Sequence, residues 1–569
     1  RTMLADGSLV PWTSPDGKAM EIAAAVPQWP WTDLAYALMP NGRTLDYVAE
    51  SPYRGPLGNA PVGIEKLSFV SGLFATGLAE SNYSATDQEA DLPAWYARIN
   101  AGEPYEGDPL AETILEQVTT YRSSYYINHA EPPAPLLIQS GWNDDLFPPD
   151  EALRFYERTR SQYPGDPISL FFMDDGHARS QNKEADVAVF DQRLDAWFDH
   201  YLKGEGATPS SSVETLTTTC PSTKASEGPY TADDWRDISP GEIRLDSAAA
   251  QTIVPGAGDP TSGIAFDPIA SSETGGARAC ATASATDQTG VANYRLAAAP
   301  AGGFTLMGSP TIVADLESSG AESELAARLL DVSPEGTETL VARGLYRPTT
   351  GSGQVVFQLH PQGYHFAEGH VAKLELLPSD APYARPSNAQ LPITVSDLEL
   401  RLPVLEQPGS LGGLVRSPAP KVVPPGYELS AEYRESRAGG GGAGSTQGVA
   451  VVKIGAAGLA GRIRATRHRL LVPLRCRGEG ACSGRLSMTA RRHRARRRTV
   501  LARGAYSIAR GRTARLRLPL TKGARRFLAT LLAGRGRHVA RLRGRLELDD
   551  SGRPTRVMVT RPVHLPHRR

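Results

Sequence analysis

The hydrophobic pattern of the first 206 residues alternates short continuous apolar runs with stretches of helical spacing. Leu136 to Ile138 and Leu170 to Met173 are apolar runs closed by turn residues. That is the form of parallel strands buried on both faces, each delivering a loop at its carboxyl end. Ile22 to Val26 reads as an earlier strand of the same kind. Within residues 33–134 the period turns helical, and Ile64 to Leu78, Leu92 to Ile99 and Leu110 to Tyr126 predict a helical cap inserted between core strands. Pro149 to Gln162 predicts a helix whose first turn holds Asp150 and Glu151, favourable at the positive end of the helix dipole. Val187, Phe190, Leu194, Trp197, Phe198 and Tyr201 mark one face of a further helix ending at Gly204.

Residues 207–406 change to short strands separated by turn signals. Ser323 to Val332, the turn Ser333-Pro334-Glu335-Gly336 and Thr337 to Tyr346 predict a hairpin, with further strands at Phe304 to Leu316, Val355 to His360, His370 to Leu377 and Leu398 to Val404. Such a series predicts a β-sandwich. Residues 407–448, with Pro418 to Pro425 and the GGGG within Arg437 to Thr446, read as a flexible linker. Residues 449–569 return to alternation at Leu470 to Leu474, Leu486 to Thr489, Ala514 to Leu520, Val539 to Leu548 and Val557 to His564. With one helix at Gly523 to Leu532, they predict a small immunoglobulin-like β-sandwich.

The two buried strands of the first segment carry the candidate chemistry. The run PLLIQSGWNDDLFP presents Asp144 after Gly141, and ISLFFMDDGH presents His177 after Gly176. A serine hydroxyl is a weak nucleophile until a histidine takes its proton, while a carboxylate fixes the imidazole tautomer. Asp144 fits the carboxylate and His177 the base, with the neighbouring Asp145 an alternative for the acid. Asp174 and Asp175 read as turn or supporting groups, and Trp29, Trp31, Trp142, Tyr125 and Tyr126 as core aromatics or as walls of an acyl pocket. In an α/β-hydrolase the nucleophile precedes both acid and histidine, in a G-x-S-x-G elbow. No such motif stands before Asp144, which leads us to expect the nucleophile and the first strands upstream of residue 1.

The run IAAAVPQWPWTDLAYALMPNGRTLDY, then SSYYI, GWNDDLFPPDEALRFY, FFMDDGH, LVARGLYRP and HVAKLELLPSDAPYARPSN, resembles the X-Pro dipeptidyl-peptidase-like serine hydrolases, the group that includes CocE/NonD acyl hydrolases. The resemblance covers about residues 1–404. It implies an α/β-hydrolase domain followed by a jelly roll of galactose-binding-like type, and a small acyl ester or peptide substrate. It places the acid and base on Asp144 and His177, and treats His360, His365 and His370 as structural.

Charge divides the chain sharply. Residues 451–569 carry 32 Lys+Arg against 4 Asp+Glu and the rest 29 against 58, giving opposite net charges of +28 and −29. Clustered guanidiniums such as Arg491 to Arg498 suit an anionic polymer. With Tyr506 and Phe527 the only aromatics of this segment, an anionic cell-envelope polymer is expected rather than specific nucleic acid. Cys476 and Cys482 bracket a Gly-containing turn, which suits a disulfide loop, and Cys220 and Cys280 suit a bridge across the β-region. Disulfides point to a secreted or extracytoplasmic protein. No run long enough to span a membrane, no metal-ligand cluster and no phosphate-cradling glycine loop occurs, so no cofactor is expected.

Overall fold

The computed structural model describes residues 2–3, 9–53, 61–80, 90–273, 278–318, 323–348, 351–389, 391–435, 456–459, 463–465, 469–477, 482–490, 499–508, 512–526, 541–550 and 557–564. They form two compact units, Arg1–Gly440 and Gly441–Arg569.

In the first unit the helical spacing of the cap becomes α1 (Leu67–Ala79), α2 (Leu92–Asn100) and α3 (Pro109–Thr120). Asp91 and Asp108 cap the last two by accepting backbone N–H bonds. The stretch expected to run on to Tyr126 breaks after Thr120 and resumes as a short turn, Ser124–Tyr126. Then come β1 (Leu136–Gly141), α4 (Pro149–Gln162), β2 (Ile168–Met173) and α5 (Glu184–Phe198). Last are β3 (Val213–Thr215) and β4 (Tyr230–Ala232).

β1, β2 and β3 are parallel neighbours, and β4 closes the sheet antiparallel to β3. On the open side of β1, Ala25 and Gln28 bridge in parallel to Leu136 and Gln139. The expected strand at Ile22 to Val26 is therefore an extended edge segment shifted toward Trp29, and Ile22 itself is exposed. Both faces of the sheet are covered, as the continuous apolar runs require. Ile138, Leu170 and Phe172 pack with Leu153 and Tyr156 of α4, while Leu137, Phe171 and Met173 pack with Phe190 and Trp197 of α5. α5 passes into a wider π-helical turn, Asp199–Lys203, and stops at Gly204 in the left-handed conformation.

The boundary expected at residue 206 moves. β3 and β4 belong to the same sheet as β1 and β2, and β3 is too short for its three residues to show a period. The β-rich part follows from Gly241 as two antiparallel sheets. One joins Gly351–Gln358, Thr311–Ser318, Ile393–Val404, Phe304–Gly308 and Gln362–Phe366, with Gly241–Ala248 added to the long strand. The other joins Thr282–Ser284, Thr337–Tyr346, Leu325–Val332, Val371–Leu377 and Ala292–Arg295. Leu306, Leu329, Phe357, Leu374 and Leu400 lie in the core shared by both sheets. The expected hairpin is present, with Leu325 opposite Tyr346. The single strand expected at Phe304 to Leu316 is divided at Ser309-Pro310. Part of the outer face of the second sheet is covered as well. Ala326 and Leu345 pack with Leu146 and Phe147 of the loop after β1.

The expected linker at residues 407–448 also needs correction. Residues up to 435 fold back on the first unit, burying Val415, Ala419 and Leu429, and Glu428–Leu429 pairs with Val48–Glu50. The prolines rigidify this strap rather than free it. The GGGG run lies outside the described residues.

In the second unit eight described strands, from Ala456–Leu459 to Val557–His564, join in one sheet. All pairings are antiparallel except Ile463–Ala465 with Val557–His564. Leu470, Val472, Leu474, Leu486 and Leu501 are buried. The helix expected at Gly523 to Leu532 is seen over 522–526, its remainder and Arg491 to Arg498 falling outside the described residues. Among the described residues no helix is long and apolar enough to cross a membrane.

Candidate active site

β1 and β2 run in register, Leu136 opposite Ile168 and Gly141 opposite Met173, so their following loops emerge side by side. The loops touch through backbone. A Cβ at Gly141 would lie 1.5 Å from the Asp175 carbonyl oxygen, and one at Gly176 would lie 2.6 Å from Asp144 Oδ2. Gly176 also has φ of 134°, a conformation side chains rarely adopt. Glycine at both positions is what allows the acid and the histidine to meet.

They do meet. His177 Nδ1–H donates to Asp144 Oδ2 over 2.7 Å, and the same oxygen takes the His177 backbone N–H at 3.3 Å. Asp144 Oδ1 accepts the backbone N–H groups of Leu146 and Phe147 at 3.1 and 3.0 Å. Both carboxylate oxygens are thus fixed, and the Asp144 side chain is fully buried whereas that of His177 is 35% exposed. Burial pushes the imidazole pKa down, but the hydrogen bond and charge of Asp144 outweigh it, holding His177 above the ordinary histidine value. Among the described residues nothing hydrogen-bonds His177 Nε2.

Aromatic rings flank that imidazole. Phe147 stands edge-on at 5.2 Å between centroids and Trp29 at 6.0 Å. Trp29 has φ of 46°, an uncommon conformation for a bulky residue. Its backbone N–H donates to Gln139 O at 2.9 Å and its indole N–H to Asp175 Oδ2 at 3.0 Å. Trp31 extends the wall against Phe147 at 5.0 Å. Trp142, by contrast, is core, buried against Phe172 with its indole N–H on Leu216 O at 2.6 Å. Tyr125 and Tyr126 line a separate small cavity beside Asp33 and Arg154.

Asp145 does not reach the histidine. Arg179 holds it through Nε at 2.7 Å and Nη2 at 2.9 Å, and Arg343 adds Nη1 at 3.2 Å. Burial opposes its ionisation, yet the two guanidiniums prevail and hold the carboxyl at about 2. Asp174 accepts from Asn143 Nδ2 and the Gln181 backbone N–H at 2.9 and 3.1 Å. The histidines of the β-rich part lie on other partners, His360 on Asp150, His365 on Thr305 and His370 on Asp331.

The acid loop has supports with no sequence signal. Lys66, fully buried, donates to Asp145 O at 2.7 Å and Leu146 O at 3.1 Å. Burial, the largest influence, lowers its pKa to about 8 despite the surrounding carboxylates. Tyr383 donates its hydroxyl to Asp145 O at 3.3 Å, and its ring lies 4.0 Å from the Arg343 guanidinium carbon. Lys66, Arg343 and Tyr383 come from the cap and the β-rich part. Arg179, two residues after His177, was the one support within reach of a local pattern.

A parallel sheet presenting an acid and a histidine at neighbouring strand ends, followed by a β-rich domain, has the form of the later half of an α/β-hydrolase. Residues 77–205, which include Asp144 and His177, match the model of the prolyl oligopeptidase family. Residues 298–409 match that of the X-Pro dipeptidyl-peptidase C-terminal non-catalytic domain. Each match covers less than half of the chain, and the two together make these segments similar to parts of the prolyl oligopeptidase and X-Pro dipeptidyl-peptidase families.

No curated protein matches the chain. Among solved structures, an aminopeptidase from a marine sediment Thaumarchaeota archaeon is 13% identical, with 67% of this chain and 72% of that one covered and a TM-score of 0.44. A CocE/NonD family hydrolase from Staphylococcus aureus is 14% identical, with 68% of each chain covered and a TM-score of 0.41. An α-amino acid ester hydrolase is 15% identical, with 67% and 72% covered and a TM-score of 0.40.

Proposed function

We propose that the chain is the acid–base part of a serine hydrolase that cleaves ester or amide acyl bonds through an acyl-enzyme. The observation that carries this reading is the 2.7 Å Asp144–His177 pair, whose Nε2 bears no hydrogen bond among the described residues. Asp144, locked by backbone N–H groups, fixes the Nδ1–H tautomer and leaves Nε2 as the base. His177 Nε2 takes the serine proton as the hydroxyl attacks the acyl carbon, then returns it to the leaving group, and water repeats the sequence to release the acid. In this fold the serine of that reaction stands before both acid and histidine in sequence. Trp29, Phe147 and Trp31 form an apolar wall for the acyl or side-chain group of a small ester or peptide.

In the same reading the two-sheet domain is a jelly roll of galactose-binding-like type that supports the acid loop. The basic unit is an immunoglobulin-like module held on an anionic cell-envelope polymer by its charge of +28. The Cys220–Cys280 disulfide favours an extracytoplasmic location. A non-catalytic protein that uses the jelly roll and the basic unit to hold an anionic or carbohydrate polymer is the second reading, supported by that charge.

The test is turnover of a chromogenic acyl ester and a Xaa-Pro anilide by the complete gene product. Turnover of either supports hydrolysis, and the preferred substrate divides esterase from peptidase. Polymer binding with no turnover of any acyl substrate would favour the second reading.

A further inference from the structure

The Asp144 hydrogen bond fixes Nδ1 of His177, but a ring held at one nitrogen can still pivot about it and carry Nε2 out of line. Proton transfer needs that line to be kept, and packing against locked neighbours is what keeps it. The imidazole side chain is 35% exposed, and the rings beside it among the described residues are Phe147 and Trp29, steeply inclined to it at 89° and 71°. Phe147 is placed by the acid loop itself, because its backbone N–H is on Asp144. Trp29 comes from the edge segment instead, and its ring needs another anchor.

The histidine turn supplies that anchor. The Trp29 indole N–H donates to Asp175 Oδ2 at 3.0 Å across 146 positions of sequence, while its backbone N–H on Gln139 O ties it to β1. Trp29 is the one aromatic residue with positive φ among the described residues, at 46°. Backbone of that kind persists where the surroundings over-determine it, and these two bonds do so. Asp175 is 6% exposed and its carbonyl oxygen lies against Gly141, so its place between the strand ends is fixed. The carboxylate charge felt by His177 is that of Asp144, and Asp175 adds no influence of its own on the imidazole. A buried carboxylate two residues before the base, binding the ring beside that base, acts through the ring.

We propose that Asp175 is a positioning residue: its carboxylate holds the Trp29 indole beside His177, and the indole together with Phe147 fixes the plane in which Nε2 meets the serine proton. The proton transfer in this assignment rests on the acyl-hydrolase reading, whereas placement of Trp29 by Asp175 stands without it. Removing the carboxylate or the indole N–H breaks the same link, so the two losses should be alike and removing both should add nothing.

The experiment compares the complete gene product as wild type, Asp175→Ala, Trp29→Phe and the double variant, with Asp175→Asn as the variant that keeps an oxygen acceptor. The His177 ring-proton resonances, assigned by their loss in His177→Ala, report the neighbouring indole through its ring current. Asp175→Ala should shift them at matched folding, and Asp175→Asn should return them toward the wild-type positions. With a chromogenic acyl ester, Asp175→Ala and Trp29→Phe should each lower kcat about tenfold with KM changed less than about twofold. The double variant should lose no more than either alone. Unmoved resonances in Asp175→Ala, losses that multiply in the double variant, or a rise in KM with kcat unchanged overturn the assignment. If the wild type turns over no acyl ester, the hydrolase reading fails, and the resonances still decide whether Asp175 places Trp29. If Asp175→Ala does not fold, Trp29→Phe decides, and an undiminished kcat overturns the assignment.

Discussion

Arg343 of the β-rich domain lies 3.2 Å from the carboxylate of Asp145, 198 residues away in sequence and next to the acid that holds His177. The same guanidinium reaches Asp380 at 3.2 Å and stacks on Tyr383. A domain whose matched model is named non-catalytic thus grips the loop that presents Asp144. Position of the acid depends on both domains.

Arg343→Leu is expected to destabilise the first unit by about 3–5 kcal/mol, because it leaves buried Asp145 and Asp380 with less compensating charge. Urea denaturation measures it, and a loss below about 1 kcal/mol would show that the network is replaceable. The acid side has its own signature. Asp145 titrates at about 2 when folded against 3.8 in the open chain, so its contribution is complete above pH 3.8 and lost as pH falls toward 2.

Asp144→Asn removes both influences that raise the His177 pKa and leaves burial, which lowers it. The imidazole should titrate lower than in the wild type, read from its ring proton resonances across pH. The raised wild-type value also means that the pair contributes stability in full below pH 6.5, lost as pH rises through the folded value. Identical titration in the two proteins would mean that the pair is not formed.

Gly176→Ala places a methyl group 2.6 Å from Asp144 Oδ2 on backbone at φ 134°. A cost of about 1–3 kcal/mol is expected from the conformation alone. The His177 titration should shift in the same direction as for Asp144→Asn. A glycine replaced without effect on either quantity would show that the loops have room to spare.

Cys220 and Cys280 close a loop across 60 positions, tying the connection between β3 and β4 to the β-rich part. Replacing both by alanine should cost about 2–4 kcal/mol, visible as a lower melting temperature, and reductant should act likewise. Insensitivity to both would mean that other contacts already fix this loop.

The strand ends were legible because they obey local rules. A buried parallel strand must be continuously apolar, and loops that touch through backbone must use glycine, so Gly141, Asp144, Gly176 and His177 stand out without any structure. The choice between Asp144 and Asp145 was not legible, since it turns on Arg179 and Arg343 claiming the second carboxylate. Lys66 likewise sits 79 positions from the carbonyl it holds, beyond any periodic signal. Composition misled in the strap up to residue 435, where proline-rich sequence reads as linker but buries Val415 and Leu429. Of the two readings open for Trp142 the structure takes the core one, the ring packing on Phe172.

The central claim is that His177 is the base of an acyl hydrolase. The most direct measurement is kcat/KM for a chromogenic acyl ester by the complete gene product, comparing wild type with His177→Ala at matched folding by circular dichroism. The account predicts a loss of about 10³-fold or more, as for removal of a catalytic histidine elsewhere. Equal turnover by the two folded proteins would contradict it.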